Sequence, residues 1–260
     1  MLRSFLARSL LAGLIAGFGA LPALAQATNA AFNADQKKQI ESMIHDYILQ
    51  HPEVVQEAMV ELEKRQKDAE KQSREKITLD KAGPLYTSKY QMVLGNPKGD
   101  VTLVEFFDYN CGYCKKALSD NLKLLETDKN LRLVLKEFPV LGQGSVEASQ
   151  VAMAARESMK PEQMAQFHTK LLGLRGPANK DKALEVAKDI GLDTAKITKD
   201  MAKPEIATGI QESVSLADQL GLTGTPSFVL GGEVIVGAVG YDEIKEKIDA
   251  VRKCGKTSCS

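Results

Sequence analysis

Apolar residues at Ile40, Ile44, Tyr47 and Ile48 recur every three or four positions, the spacing of one face of an α-helix, and Asn33 stands where an N-cap belongs. Pro52 is excluded from a helix interior but suits a first turn, so His51-Pro52-Glu53 predicts the end of one helix and the start of another. The second helix carries Val55, Met59 and Leu62 on one stripe, after which residues 63–76 are almost wholly charged or amide. A helix polar all round buries little; it fits a solvated spacer, an arm between domains, or a segment without stable helix. Residues 29–80 therefore read as a separate helical arm. Its apolar stripe, including Ile44, Ile48, Val55, Met59 and Leu62, has no core of its own. Self-association would cover it, and so would folding back onto the rest of the chain.

Beyond the turn signals Gly83-Pro84 and Asn96-Pro97-Lys98-Gly99-Asp100 the period changes. Residues 101–107 read as a strand, the segment from Cys111 to about Thr127 as a helix, and residues 131–138 as a second strand. Helical stretches fill residues 145–220, punctuated by Pro161, Gly176-Pro177, Gly191 and Pro204. Residues 227–230 and 234–239 then form a hairpin around Gly231-Gly232, and residues 242–253 a last helix. Strand-helix-strand, helices, then strand-strand-helix is an α/β domain with a helical insertion.

Composition narrows the function. The 260 residues carry 34 Lys+Arg against 34 Asp+Glu, so attraction to polyanions is weak and nucleic acid is not an expected partner. At 43% hydrophobic and 26% charged, the chain has material for a sizeable core, which excludes disorder, collagen and multi-span membrane folds. Residues 1–25 carry Arg3 and Arg8, run largely apolar from Leu10, and finish in Ala23-Leu24-Ala25, the small-x-small pattern of a signal-peptidase site. The apolar run is shorter than the ~20 residues that cross a bilayer. A cleaved signal peptide is the expectation, with Ala25-Gln26-Ala27 as a second possible cut and an uncleaved anchor as the alternative. Export would place the four cysteines in an oxidising space.

Those cysteines form two close pairs, Cys111/Cys114 and Cys254/Cys259. Cys111-Gly112-Tyr113-Cys114 follows a strand and opens a helix, the context of a redox pair. At a helix start the unpaired N–H groups and the dipole favour an anion, so Cys111 is the expected nucleophile. Cys114, one turn on and more buried, suits the resolving thiol. A structural disulfide or a metal site are the alternatives, but zinc wants four ligands and the three histidines show no ligand-like spacing with the pair. No metal or cofactor is expected. Glu105 shares a strand face with Val101, Leu103 and Phe107, so it should be buried beneath the pair and could relay protons. Otherwise it reaches solvent at a strand end, or pairs with Lys136. Thr225-Pro226 directly precedes a strand, where proline removes a ladder donor, and a cis bond is one remedy.

The run from Phe106 through Asp108, Tyr109, Asn110, Cys111, Gly112, Tyr113 and Cys114 to Lys115, the Gly224-Thr225-Pro226-Ser227-Phe228 strand entry and the helical block between them resemble the DsbA-like branch of the thioredoxin superfamily, over about residues 86–253. The arm, with Ile48-Leu49-Gln50-His51-Pro52-Glu53-Val54-Val55, resembles the N-terminal region of suppressor-of-copper-sensitivity (ScsC-like) proteins. The resemblance implies a thioredoxin-like fold with an inserted helical domain at about 143–221, preceded by an α-helical oligomerisation arm. The implied layout is a signal peptide at 1–25, arm and linker at 26–80, the DsbA-like domain at 81–253 and a tail at 254–260. It further implies that Pro226 is a cis-proline facing the active site, that the Thr225 backbone pairs with substrate alongside Gly112 and Tyr113, and that Glu105 is the family's buried acid. Cys-Gly-Tyr-Cys lacks the central His of the strongly oxidising members, which implies a weaker oxidant. Arm-bearing relatives imply a periplasmic homotrimer with disulfide isomerase or reductase activity on unfolded or mis-disulfided proteins, kept reduced by a membrane thiol reductase.

Two alternatives stand beside that expectation: a dithiol oxidase on the same fold, and a Cu(I)-binding copper-tolerance protein, since Cu(I) favours thiolates. The tail pair Cys254/Cys259 most simply forms a small-loop disulfide of little stabilising effect, with a second exchange site or soft-metal clip as the other readings.

Overall fold

The computed structural model describes residues 32–259, so the expected signal peptide and the first residues of the expected arm lie outside the described residues. The chain divides into two units after Ala58.

The first unit holds α1 (Ala34–Gln50) and the opening turns of α2 (Glu53–Leu79). Asn33 caps α1 as its sequence position predicts. Its side chain accepts from the Gln36 N–H at 2.8 Å while the Gln36 side chain accepts from the Asn33 N–H at 3.0 Å, so two orphan donors are satisfied reciprocally. The helix breaks at Pro52. No residue of α1 is buried, and Ile44, Ile48 and Val55 stay exposed.

In the second unit α2 continues unbroken through the polar stretch, with i,i+4 ion pairs Glu61–Arg65 and Glu70–Arg74 along its solvated side. Its last turn is not free. Thr78 is buried, the Tyr86 hydroxyl donates to the Thr78 carbonyl at 2.8 Å, and Ile77 packs on the cluster that holds Leu85, Val104 and Phe106. The segment expected as one separate arm to residue 80 thus ends inside the core of the second unit.

Five strands form one sheet in the order β1-β3-β2-β4-β5: β1 (Met92–Gly95), β2 (Val101–Phe107), β3 (Leu131–Glu137), β4 (Ser227–Leu230) and β5 (Glu233–Val236). β2 and β3 are parallel, joined by α4 (Gly112–Thr127), and the other pairings are antiparallel. Strand β1 and the short α3 (Pro84–Thr87) go beyond the sequence expectation, and β5 ends three residues earlier than expected. The period of two sends Leu103, Phe107, Leu133 and Leu135 to one face, packed with Cys114, Ala117, Leu118 and Leu124 of α4. Val104, Phe106 and Val134 go to the other, against Leu216 and Ala217 of α9 (Pro204–Gln219) and Leu220, its C-cap. Between β3 and α9 lie α5 (Gln143–Arg156), α6 (Pro161–Leu172), α7 (Lys180–Asp189) and α8 (Thr194–Asp200), the helical insertion.

Helix α10 (Tyr241–Cys254) closes the fold and stops at Gly255, whose φ of +78° suits a residue without Cβ and whose N–H bonds the Val251 carbonyl. Cys254 and Cys259 form a disulfide with their Cα atoms 6.1 Å apart. Cys254 sits at a helix C-terminus, where the dipole opposes a thiolate, so this bond should resist reduction more than one whose sulfur sits at a helix start. In a dithiothreitol titration of the fully oxidised protein, alkylation and mass measurement are expected to show Cys111 and Cys114 labelled before Cys254 and Cys259. Simultaneous labelling of all four would refute the dipole argument.

Candidate active site

Strand β2 runs out at Phe107 and hands the chain through Asp108, Tyr109 and Asn110 to Cys111, the N-cap of α4. The Cys111 Sγ accepts from the Cys114 N–H at 3.3 Å, so one of the helix's orphan donors points at the sulfur. On its other side the Cys111 thiol donates to the Thr225 carbonyl at 3.1 Å. The Thr225-Pro226 bond is cis. The two cysteines are unpaired with each other: a reduced dithiol, Cys111 6% exposed and Cys114 sealed off. Burial pushes the Cys114 thiol well above its usual pKa, and the Glu105 carboxylate nearby adds to the rise. Gly112 has open space where a Cβ would stand, and Tyr113 is 69% exposed, so the outer edge of the pair is accessible to a large partner.

Glu105 is wholly buried, which overturns the alternative of a strand-end carboxylate in solvent. The pairing with Lys136 is also overturned, and the reason is register. Glu105 lies opposite Leu135 and Phe106 opposite Lys136, so the lysine emerges on the other face of the sheet, where its Nζ donates to the Pro84 carbonyl at 2.7 Å. Glu105 Oε2 instead accepts from Asn121 Nδ2 at 2.7 Å, while Oε1 has no partner among the described residues. Burial pushes this carboxyl up to about 8, partly offset by the Asn121 bond.

Several residues to which sequence reasoning assigned no role hold the site in place. Asp108, fully buried, accepts from the Asn110 N–H and the Ser145 hydroxyl, each at 2.7 Å, through Oδ1, and from the Val140 and Leu141 N–H groups at 2.9 and 3.0 Å through Oδ2. Asn110 clasps the Ala178 backbone, accepting from its N–H and donating to its carbonyl. The loop before Cys111 is therefore bolted to the helical insertion. Behind it, Glu137 accepts from Tyr109 at 3.3 Å and Ser149 at 2.7 Å, and His168 packs edge-on to Phe107. Burial raises Glu137 to about 8 and depresses His168 to about 3, so both sit neutral in an apolar wall near pH 7. The sequence signal for both Asp108 and Glu137 was a carboxylate at a strand end, Asp108 directly after Phe107 of β2 and Glu137 as the last residue of β3. A cavity of about 720 Å³ opens beside the pair, lined by Asn110, Gly112, Lys115, Leu141, Glu147 and Pro177 among others.

A helix-start cysteine, a second buried cysteine one turn on and a carbonyl held against the first sulfur by a cis-proline loop make a dithiol that can exchange with an external disulfide. Comparison with known proteins agrees. The model for the DSBA-like thioredoxin domain matches residues 102–249, and that for the copper resistance protein ScsC N-terminal domain matches residues 36–69. A thioredoxin-like oxidoreductase from Silicibacter pomeroyi DSS-3 is 42% identical, covering 65% of this chain and 96% of that one with a TM-score of 0.62. ScsC from Proteus mirabilis, in a transitional conformation, is 25% identical over 86% of this chain and 98% of its own, TM-score 0.61. Disulfide bond formation protein D from Bacillus subtilis (strain 168) is 28% identical over 173 residues, 62% of this chain and 77% of that protein. Sodium/proton antiporters also match, but the chain spans only 21–26% of their length. With more than half of its length matched by the domain model, the chain belongs to the DsbA-like thioredoxin-domain family, as a thiol–disulfide oxidoreductase of DsbA/ScsC type.

Proposed function

We propose that this protein is an exported, periplasmic disulfide isomerase or reductase that acts on mis-disulfided proteins through a mixed disulfide at Cys111. The observation that carries the reading is the setting of Cys111 Sγ between the Cys114 N–H and the Thr225 carbonyl. The first is a donor aimed at the attacking sulfur, and the second offers a backbone acceptor to an extended client strand. The Cys111 thiolate attacks a client disulfide and one client sulfur leaves as a thiolate. Then either another client thiol attacks the bound client sulfur and displaces Cys111 (isomerisation), or Cys114 attacks Cys111 Sγ and the client sulfur leaves, which reduces the client and oxidises the pair. Thr225, Pro226, Gly112 and Tyr113 form the client-facing rim. An enzyme of this kind must be kept reduced, which calls for a membrane thiol reductase as partner, and it gains from several active sites around one client. The exposed apolar stripe of the arm suits a homotrimer that supplies them. Similarity to disulfide bond formation protein D favours a second reading, a dithiol oxidase that donates a disulfide to reduced chains. A Cu(I)-binding role draws only on the match over residues 36–69.

Scrambled ribonuclease separates the first two. Reduced full-length protein is expected to reactivate it, and Cys111→Ser to lose all of that activity. Reactivation no better than Cys111→Ser, or only from reduced ribonuclease plus oxidant, would defeat the isomerase reading in favour of the oxidase. Stoichiometric Cu(I) uptake with no exchange would favour the carrier.

A further inference from the structure

The buried residues of α4 are Cys114, Ala117, Leu118, Asn121 and Leu124. Asn121 is the amide among them, seven residues and two turns beyond Cys114 and 4% exposed. Burying an amide is costly unless it is bonded, so its position on this face calls for a reason. Its Nδ2 donates to Glu105 Oε2 at 2.7 Å, a bond that strengthens when the carboxyl is ionised. That bond ties down one carboxylate oxygen. The other, Oε1, is buried without a partner among the described residues, and Glu105 shares the strand face of Leu103 and Phe107, which pack in one buried cluster with Cys114.

We propose that Asn121 is a positioning residue for the resolving half of thiol exchange: it holds Glu105 by one oxygen so that the other takes the proton from the Cys114 Sγ–H. The inference deepens the reading of Cys114 as the resolving thiol and rests on it. The ionised Glu105 carboxylate accepts the proton and becomes neutral, and the electron pair stays on Cys114 Sγ. That thiolate attacks Cys111 Sγ in the mixed disulfide. The Cys111–Cys114 bond forms, the Cys111–client bond breaks, and the client sulfur leaves with the electron pair and picks up a proton from solvent. The cysteine pair is oxidised by two electrons and the client sulfur is reduced. Throughout the proton transfer the buried site holds a single negative charge, moved from oxygen to sulfur, so no second charge has to be desolvated.

Among the described residues, the other titratable groups around Glu105 are engaged elsewhere or lie on the opposite face of the sheet. Across β3 it faces Leu135, with Glu137 next along the same face but engaged by Tyr109 and Ser149, and with Lys136 on the opposite face. Across β4 it faces Phe228. The buried residues of α10 are Ile244 and Ile248, and His168, against Phe107, is held neutral by burial.

The test is the pH profile, from 6 to 9.5, of client release from the Cys111 mixed disulfide, followed by rapid acid quench in the full-length protein. The expected profile rises through a midpoint near 8. Asn121→Leu, which removes the donor at similar volume, should move the midpoint up by about one pH unit and slow release at pH 7 about tenfold. Glu105→Gln should remove that ionisation from the profile, and Asn121→Leu added to it should change nothing more. An unmoved midpoint, or full additivity in the double variant, overturns the proposal. Should Asn121→Leu not fold, the unsubstituted protein still decides: the Asn121 side-chain amide resonances must titrate with the midpoint of release, and a flat response overturns the proposal. Release from Cys114→Ser as fast as from the unsubstituted protein would overturn the resolving role and this inference together. A Cys114→Ser block with an unmoved Asn121→Leu profile overturns the positioning role alone.

Discussion

Glu105→Gln is expected to make the protein more stable above neutral pH, by an amount that grows with pH. The carboxyl is raised from an ordinary 4.5 to about 8 because ionising it inside the sheet costs solvation. Below pH 4.5 the group is protonated in both folded and unfolded chains, so it contributes no pH dependence. Between 4.5 and 8 the unfolded chain releases the proton while the folded one keeps it, so stability falls by about 1.4 kcal/mol per pH unit. Above 8 both forms are ionised and the loss levels off, at on the order of 5 kcal/mol. Glutamine keeps an acceptor for Asn121 and carries no charge, so the variant escapes the decline. Urea midpoints of the two proteins should nearly coincide at pH 4.5 and separate steadily to pH 8.5. Glu137, similarly raised, is common to both and cancels in the difference. Parallel curves across that range would mean Glu105 is not held neutral. A residue that lowers stability at working pH and is nonetheless buried beneath the redox pair is best explained by chemistry.

What the sequence made legible follows from how much each signal depends on neighbours. Strands β2 and β4 fall where the apolar runs predict, and α4 ends at Thr127, because burial on both faces or one amphipathic face is written locally. Strand β1 is four residues wedged between turn signals, paired only with β3, and has no period long enough to read. The fate of Lys136 turned on a one-residue register, which a strand read alone does not contain: the same lysine opposite Glu105 would be its counter-ion, and one position on it is across the sheet. Cys111 and Cys114 were legible because helix-start chemistry is local. Asn121 had a signal, a lone polar residue on the stripe that carries Cys114 and Leu124, but its partner lies 16 residues back on another element. The contacts of Asn110 with Ala178 span 68 residues and had no local trace.

Cutting the chain just before Met59 is expected to turn an oligomer into a monomer that still reduces small disulfides but reactivates scrambled ribonuclease about tenfold less well. In the arm, Met43, Ile44, Tyr47, Ile48, Leu49 and Val55 are all exposed. Each such side chain gains roughly 1.5–3 kcal/mol when fully buried, so a stripe of them favours a partner of the same kind. Tethering several dithiols around one client raises their effective concentration to the millimolar range, which a lone domain lacks. The place of the cut matters. Removing residues through 80 would also take Ile77 and the Thr78 carbonyl that receives the Tyr86 hydroxyl, opening the second unit's core at a cost of about 2–5 kcal/mol. The two truncations should therefore share a monomer mass by light scattering yet differ in urea midpoint, the longer cut being the less stable. A mass unchanged from the full chain after the cut at Met59 would remove the arm as the interface. A monomer that isomerised as well as the full chain would show that one active site suffices.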